Sequence, residues 1–161
     1  MNIFYIDNDP QIAAICMVDS HVVKMILETA QMLSTAHRIV DNNNSPYMYK
    51  ATHINHPSTK WARETEGNYI WLVSHFKYLG DEYQYRYGKI HKSISVLYDI
   101  LIDLPKNIPK LPMTKMPCAI PKEYIISDDP VENYRNYYIH GKSHLHKWTK
   151  RNPPEWLYIS K

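Results

Sequence analysis

Residues 19–40, DSHVVKMILETAQMLSTAHRIV, carry an unbroken helical hydrophobic pattern with no glycine or proline, and this stretch decides the fold class. Asp19 or Ser20 is the expected N-cap, and the loop DNNNSP, from Asp41 to Pro46, ends the run. At about 100° per residue, His21, Lys24, Glu28, Gln31, Thr35 and Arg38 fall within an arc of about 100° and form one polar stripe. Val22, Val23, Met25, Ile26, Leu27, Ala30, Met32, Leu33, Ala36, Ile39 and Val40 fill the rest of the circumference, so this central helix is expected to be buried on most sides. Two readings of the stripe stand side by side. It lines a cleft in which an acid, a base, an amide and cations meet a polar ligand, or it is the solvated seam of an amphipathic helix.

Outward from this helix, Asn2 to Asp7 reads as a short extended segment, and Asp9-Pro10 opens a short helix ending near Met17. After the loop THINHP a helix starts around Ser58, with an interruption expected at Gly67. Asn68 to Tyr87 is helical again and stops at Gly88, the expected C′ glycine, and Lys89 to Leu104 offers another helix. Five prolines between Pro105 and Pro121 exclude regular helix or a central strand and predict a long surface connection. Asp129-Pro130 opens a last helix to roughly Trp148, and Pro153-Pro154 closes the fold. No window shows alternating strands joined by a hairpin turn. The expectation is an all-α, compact single domain over residues 1–161, with a short extended N-terminus and a long proline-rich connection.

At 161 residues, 44% hydrophobic and 22% charged, the chain is long enough to bury a core without metal or disulfide. Cys16 and Cys118 lie in unrelated contexts with no CxxC, as ordinary thiols do. No apolar run approaches the ~18–20 residues of a membrane helix, and MNIFYIDNDP lacks the basic region and cleavage site of a signal peptide, so a soluble intracellular chain is expected. The net charge of +3 permits an anionic partner without demanding one. Fourteen Tyr, four Trp and nine His against two Phe give most aromatics a polar tip, which suits stacking on flat ligands and is equally the signature of an AT-rich genome.

A second polar stripe recurs on the helix after Gly67. Asn68, His75, Glu82 and Lys89 repeat every seven residues, with Trp71, Tyr78 and Tyr85 three positions after the first three. Aromatics beside polar groups suit a planar ligand, while core packing accounts equally for Trp71 and Tyr78, and Glu82 with Arg86 makes an i,i+4 ion pair. The basic, aromatic segment holding Tyr134, Arg135, Tyr137, Tyr138, Lys142, Lys147, Trp148, Lys150 and Arg151 is the best phosphate-contacting candidate. Gly141-Lys142-Ser143 is not a phosphate loop, because Asn136 stands where the first glycine belongs. His140, His144 and His146, like His53 and His56, have near-ligand spacing without a completing carboxylate or cysteine set, so neither metal nor cofactor is expected.

The words DSHVVKMILETAQMLSTAHR, KATHINHPSTKWARE, NYIWL, DEYQYRYGKIH and RNYY together resemble a family of small uncharacterised phage proteins. More remotely, Asp19-x-His21 with Glu28 seven residues after the histidine, behind an extended N-terminus, is similar to the phage pyrimidine-dimer DNA glycosylases of the endonuclease V type. DEYQYRYG on a long helix and the pair Tyr137-Tyr138 resemble that family too. The resemblance implies an all-helical fold, excision of a damaged or modified base from DNA with strand cleavage, and a place in the cytoplasm of the infected host cell. It makes Glu28 the catalytic glutamate and His21 the histidine beside it, with Lys24 and Arg38 as phosphate contacts. The family's nucleophile is the α-amine of a small residue exposed when the initiator methionine is removed, whereas bulky Asn2 keeps Met1 in place. Either the α-amine of Met1 serves, or Lys24 does, or the lyase chemistry is absent. Gln31, Arg38, His75, Glu82, Arg86, Tyr137, Tyr138 and Lys142 are the candidate substrate-binding residues. The alternatives from other classes are a non-catalytic nucleotide-binding protein that sequesters a host defence signal, and an enzyme on free nucleotides.

Overall fold

The computed structural model describes residues 1–159. In chain order its helices are α1 (Pro10–Cys16), α2 (Asp19–Val40), α3 (Pro57–Glu64), α4 (Glu66–Tyr87), α5 (Lys92–Leu101), α6 (Pro130–His140) and α7 (Trp156–Ile159). Single 3-10 turns occur at Lys122–Tyr124 and Ser143–Leu145, and no strand occurs among the described residues, so the fold is all-α. Asp9 caps α1 through its carboxylate with Pro10 at the first helical position, as the Asp-Pro pair dictates. The two long helices form the centre, with α4 packed against α1, α2, α3 and α5. Val22, Ile26 and Leu33 of α2, Leu72, Phe76 and Leu79 of α4, and Ile3 and Ile6 of the extended N-terminus have no exposed surface. Burying side chains of this size stabilises by about 1.5–3 kcal/mol each.

Four details depart from the sequence reading, each for a tertiary reason. First, α2 is turned about its axis relative to the expectation: Val23, Leu27 and Ile39 are exposed, while His21, Glu28 and Thr35 of the polar stripe are buried. The extended N-terminal segment and the loop around Thr52 lie over that stripe, so its polar groups find partners inside the protein rather than in water. Second, the N-cap of α2 is Val18, which makes no side-chain cap. The backbone N–H of Asp19 instead donates to the carbonyl of Lys147 at 2.8 Å, so a segment far along the chain completes this helix end.

Third, Gly67 does not interrupt a helix. The break falls at Thr65, whose hydroxyl accepts from the Asn68 N–H, and Gly67 lies within the first turn of α4. The proline-rich connection crosses there, its Pro109 and Leu111 carbonyls accepting from the N–H groups of Glu66 and Gly67. A Cβ on Gly67 would stand 2.2 Å from the backbone nitrogen of Met113, so glycine is what allows the crossing. Fourth, α6 stops at His140 rather than running to Trp148. The Tyr137 and Tyr124 rings press on Gly141, and the chain beyond is pulled away to α2, where the Trp148 indole donates to the Cys16 carbonyl and Thr149 to the Asp19 carboxylate. α5 is also shorter than its pattern at both ends, with His91 as its N-cap.

A buried ion network fastens this closure. The Arg86 guanidinium, with no exposed side-chain surface, binds Glu82 at 2.8 Å and Asp19 at 2.9 Å and donates to the Ile15 carbonyl. Arg151 binds both Glu82 oxygens at 2.9 Å and lies 4.2 Å over the Tyr85 ring. Arg86→Met takes the buried cation from between two carboxylates, leaving Glu82 to Arg151 and Asp19 to Thr149 alone, and is expected to destabilise by about 3–5 kcal/mol in urea unfolding. Gly67→Ala forces backbone against backbone and is expected to destabilise by about 1–3 kcal/mol or more in the same measurement, with the connection rather than α4 displaced.

Candidate active site

The extended segment Met1 to Asp7 has too few residues to bury itself, and it lies along α2 with Ile3 and Ile6 in the core. This places the α-amino nitrogen of Met1 3.2 Å from Glu28 Oε1. The Met1 side chain is 1% exposed, whereas the residue as a whole is only half-buried, so what remains open to solvent is the main chain at its amino end. The thioether is the anchor and the amine is presented. Glu28 is nearly buried, and its second oxygen, Oε2, has no hydrogen-bond partner among the described residues. Lys24 Nζ stands 4.0 Å from that oxygen on a side chain that is 71% exposed.

About two helical turns from Glu28 lies His21. Its ring stacks on Phe4 with centroids 4.0 Å apart, and Nδ1 lies 2.6 Å from the Tyr138 hydroxyl. The same hydroxyl accepts from the Val18 N–H, and with the hydroxyl proton directed at Nδ1 the imidazole carries its own proton on Nε2. Burial, followed by the charges of Lys142, Lys24 and His144, pushes the His21 pKa down to about 3. His21 is therefore a neutral hydrogen-bond donor at physiological pH. Lys142, Lys24 and His144 converge on this end of α2, Lys142 lying 5.2 Å over the Tyr137 ring, which in turn packs 4.8 Å from Tyr124.

A residue that the sequence did not single out for catalysis joins them. His56 caps α3, its Nδ1 accepting from the Ser58 N–H. Its pKa is lowered by burial and then by the positive charges of the Met1 amine and His53, with Glu28 pulling the other way. The loop carrying both histidines is pinned to the stripe of α2, where the Thr52 N–H donates to Thr35 Oγ1. No short-range signal could mark His56, because its neighbourhood to the amine exists only once the loop and the N-terminus meet on α2.

The sequence family described as pyrimidine dimer DNA glycosylase matches residues 1–95. The chain belongs to the pyrimidine dimer DNA glycosylase family. Membership supports a DNA glycosylase with DNA as its substrate. Comparison with curated proteins gives no match, and comparison with solved structures gives none. The matched residues contain Met1, His21, Lys24, Gln31, Glu28 and His56, while Tyr137, Tyr138 and Lys142 come from beyond them. No helix among the described residues is long and apolar enough to cross a membrane.

The structure brings together some of the glycosylase's candidate residues and separates others. Met1, Glu28, His21, Lys24, Tyr138, Tyr137 and Lys142 gather at one end of α2, and Gln31 lies half-buried one turn beyond Glu28. Arg38 lies about 15 Å further along the helix axis. It clamps the following loop by donating to the carbonyls of Tyr49, Asn43, Ser45 and Met48. His75 is fully buried, with Nδ1 2.9 Å from the Pro10 carbonyl and its ring stacked on Trp71, so it joins α4 to α1. Glu82 and Arg86 are the buried network described above. The second polar stripe thus holds helices together: Asn68 binds the Trp61 carbonyl and Thr114 in the same way.

Burial also pushes His75 down, to about 4. The unfolded chain takes up protons on both histidines near their ordinary 6.5, whereas the folded protein does so only near 4 for His75 and 3 for His21. Stability is therefore full above about pH 6.5 and falls as the pH drops toward 4, because the unfolded state binds more protons in that window. Ring-resonance NMR is expected to show neither imidazole titrating between pH 8 and 5, with His21 as the Nε2–H tautomer, and urea midpoints should fall over the lower range.

Proposed function

We propose that this glycosylase excises a pyrimidine lesion from duplex DNA and cleaves the strand, with the α-amine of Met1 as nucleophile and Glu28 as its acid–base partner. The contact of 3.2 Å between the amine and the carboxylate carries the reading. A neutral amine is required for attack, and Glu28 is placed to take its proton. The amine then bonds to the sugar C1′, the glycosidic bond breaks, and its electron pair leaves with the base, which takes up a proton. Ring opening gives an imine between the Met1 nitrogen and C1′, with O4′ protonated. Loss of a C2′ proton to a carboxylate expels the 3′ phosphate by β-elimination. Through both steps the nearly buried Glu28 stabilises positive charge on the sugar and the iminium more strongly than a hydrated carboxylate would.

Lys24 suits a different role. Its ammonium is farther from Glu28 and largely exposed, as a phosphate contact should be. Lys142 and His144 supply charge at the same end, and Tyr137 offers a ring face beneath Lys142. The His21 Nε2–H is a donor for a sugar or base oxygen. Gln31, one turn from Glu28, is in reach of the same strand.

Borohydride added during reaction with ultraviolet-irradiated duplex is expected to trap a covalent protein–DNA adduct, and peptide mass spectrometry is expected to place the DNA on the Met1 nitrogen. An adduct on Lys24 would reassign the nucleophile, and no adduct on any lesion panel would remove the lyase step. Glu28→Gln should slow trapping by ~10²-fold or more while duplex affinity changes little. One extra residue before Met1 moves the amine by about 3.8 Å and should abolish trapping without loss of binding.

A further inference from the structure

The Met1 amine can act only if it is held on Glu28, and a chain end is by default the least ordered part of a domain. The first residue after it is tied down unusually well. Asn2 Oδ1 accepts from the N–H groups of Ile3 at 2.8 Å and Phe4 at 3.2 Å, and from the Tyr134 hydroxyl at 2.9 Å. Asn2 Nδ2 donates to the Ala119 carbonyl at 2.9 Å. Donors on one side and a carbonyl on the other fix the orientation of the carboxamide. Tyr134 has no exposed surface, and its hydroxyl also accepts from the Ala119 N–H, so α6 and the end of the proline-rich connection both anchor residue 2.

The same carboxamide shapes the next site residue. Its bonds to the N–H groups of Ile3 and Phe4 form an Asx-type turn, and Phe4 follows in the left-handed region at φ 57, a conformation that a bulky residue keeps only when its surroundings hold it. That conformation sets the Phe4 ring 4.0 Å from His21. On one side of Asn2 lies the amine on Glu28, and on the other the aromatic support of His21. We infer that Asn2 is the positioning residue of the active site, its side chain placing both the Met1 amine and the Phe4 ring while touching no reacting atom. The inference rests on the Met1–Glu28 reading proposed above, and it assigns to Asn2 a role separate from keeping the initiator methionine.

The test is single-turnover borohydride trapping on ultraviolet-irradiated duplex by wild type, Asn2→Leu and Tyr134→Phe, each checked by mass for an intact Met1. Leucine is near asparagine in size and is large enough to retain the methionine, but it makes none of the bonds. Asn2→Leu is expected to trap about 10- to 100-fold more slowly with duplex affinity within about 2-fold, because the chemistry depends on placement to within an ångström. Tyr134→Phe, which leaves the N-terminus untouched and folds if the other variant does not, should move the rate in the same direction by about 3-fold or more. Combining Asn2→Leu with Glu28→Gln should give much less than the product of the single effects, since both act through one contact. Unchanged trapping rates in both variants, or effects that multiply with Glu28→Gln, would overturn the role of Asn2 while leaving the function in place. No adduct with wild type would overturn the function and this role with it.

Discussion

A carboxylate placed on the inward side of a long helix must meet a positive charge or shed its own, and everything at this end of the protein follows from how Glu28 meets that requirement. The cation is the chain's own α-amine, delivered by burying the methionine side chain behind it. Such a contact serves stability and chemistry together. It neutralises a nearly buried acid in the resting protein, and it holds a carboxylate within 3.2 Å of the amine. The unpartnered Oε2 of Glu28 is the remaining unmet demand, and it faces the side from which Lys24 approaches.

The two halves of the chain hold this arrangement jointly. α2 carries Glu28 and His21, and Tyr134 and Tyr138 of α6 hold, respectively, the residue after the amine and the ring of His21. The C-terminal segment in turn completes the N-terminus of α2 through Lys147 and Thr149, and Arg151 joins the buried charges of Glu82, Arg86 and Asp19. The family match covers residues 1–95 and hence Met1, His21, Lys24 and Glu28, whereas Tyr137, Tyr138 and Lys142 come from residues past it. The groups at this end of α2 and the residues that hold them are thus separated along the chain and united only by packing.

Polar groups on α2 and α4 illustrate how one sequence pattern has two outcomes. Both helices carry polar residues seven apart, and His21, Glu28 and Thr35 of α2 and Asn68, His75 and Glu82 of α4 are buried. On α4 each of these meets a protein partner: Asn68 the connection, His75 α1, and Glu82 two arginines. On α2 the stripe meets a chain end beside Lys24 and Lys142. Arg38, on the same stripe, is drawn off by the loop that follows it and shows where the site stops.

The sequence by itself determined the all-α class, the span of α2, the Asp-Pro helix starts and the proline-rich connection. These depend on periods and caps that act over a few residues, where side-chain spacing alone decides which groups share a face. Glu28 with His21 as the pair to examine came from the family resemblance, as did the question of which amine serves. Only the tertiary structure decided that the Met1 amine reaches Glu28, that Tyr138 hydrogen-bonds His21 across a separation of 117 residues, that His56 joins them, and that Glu82, Arg86 and His75 are fasteners rather than ligand contacts. Those outcomes depend on how rigid elements cross and on which distant segment fills each buried polar demand, and a local pattern carries no information about either.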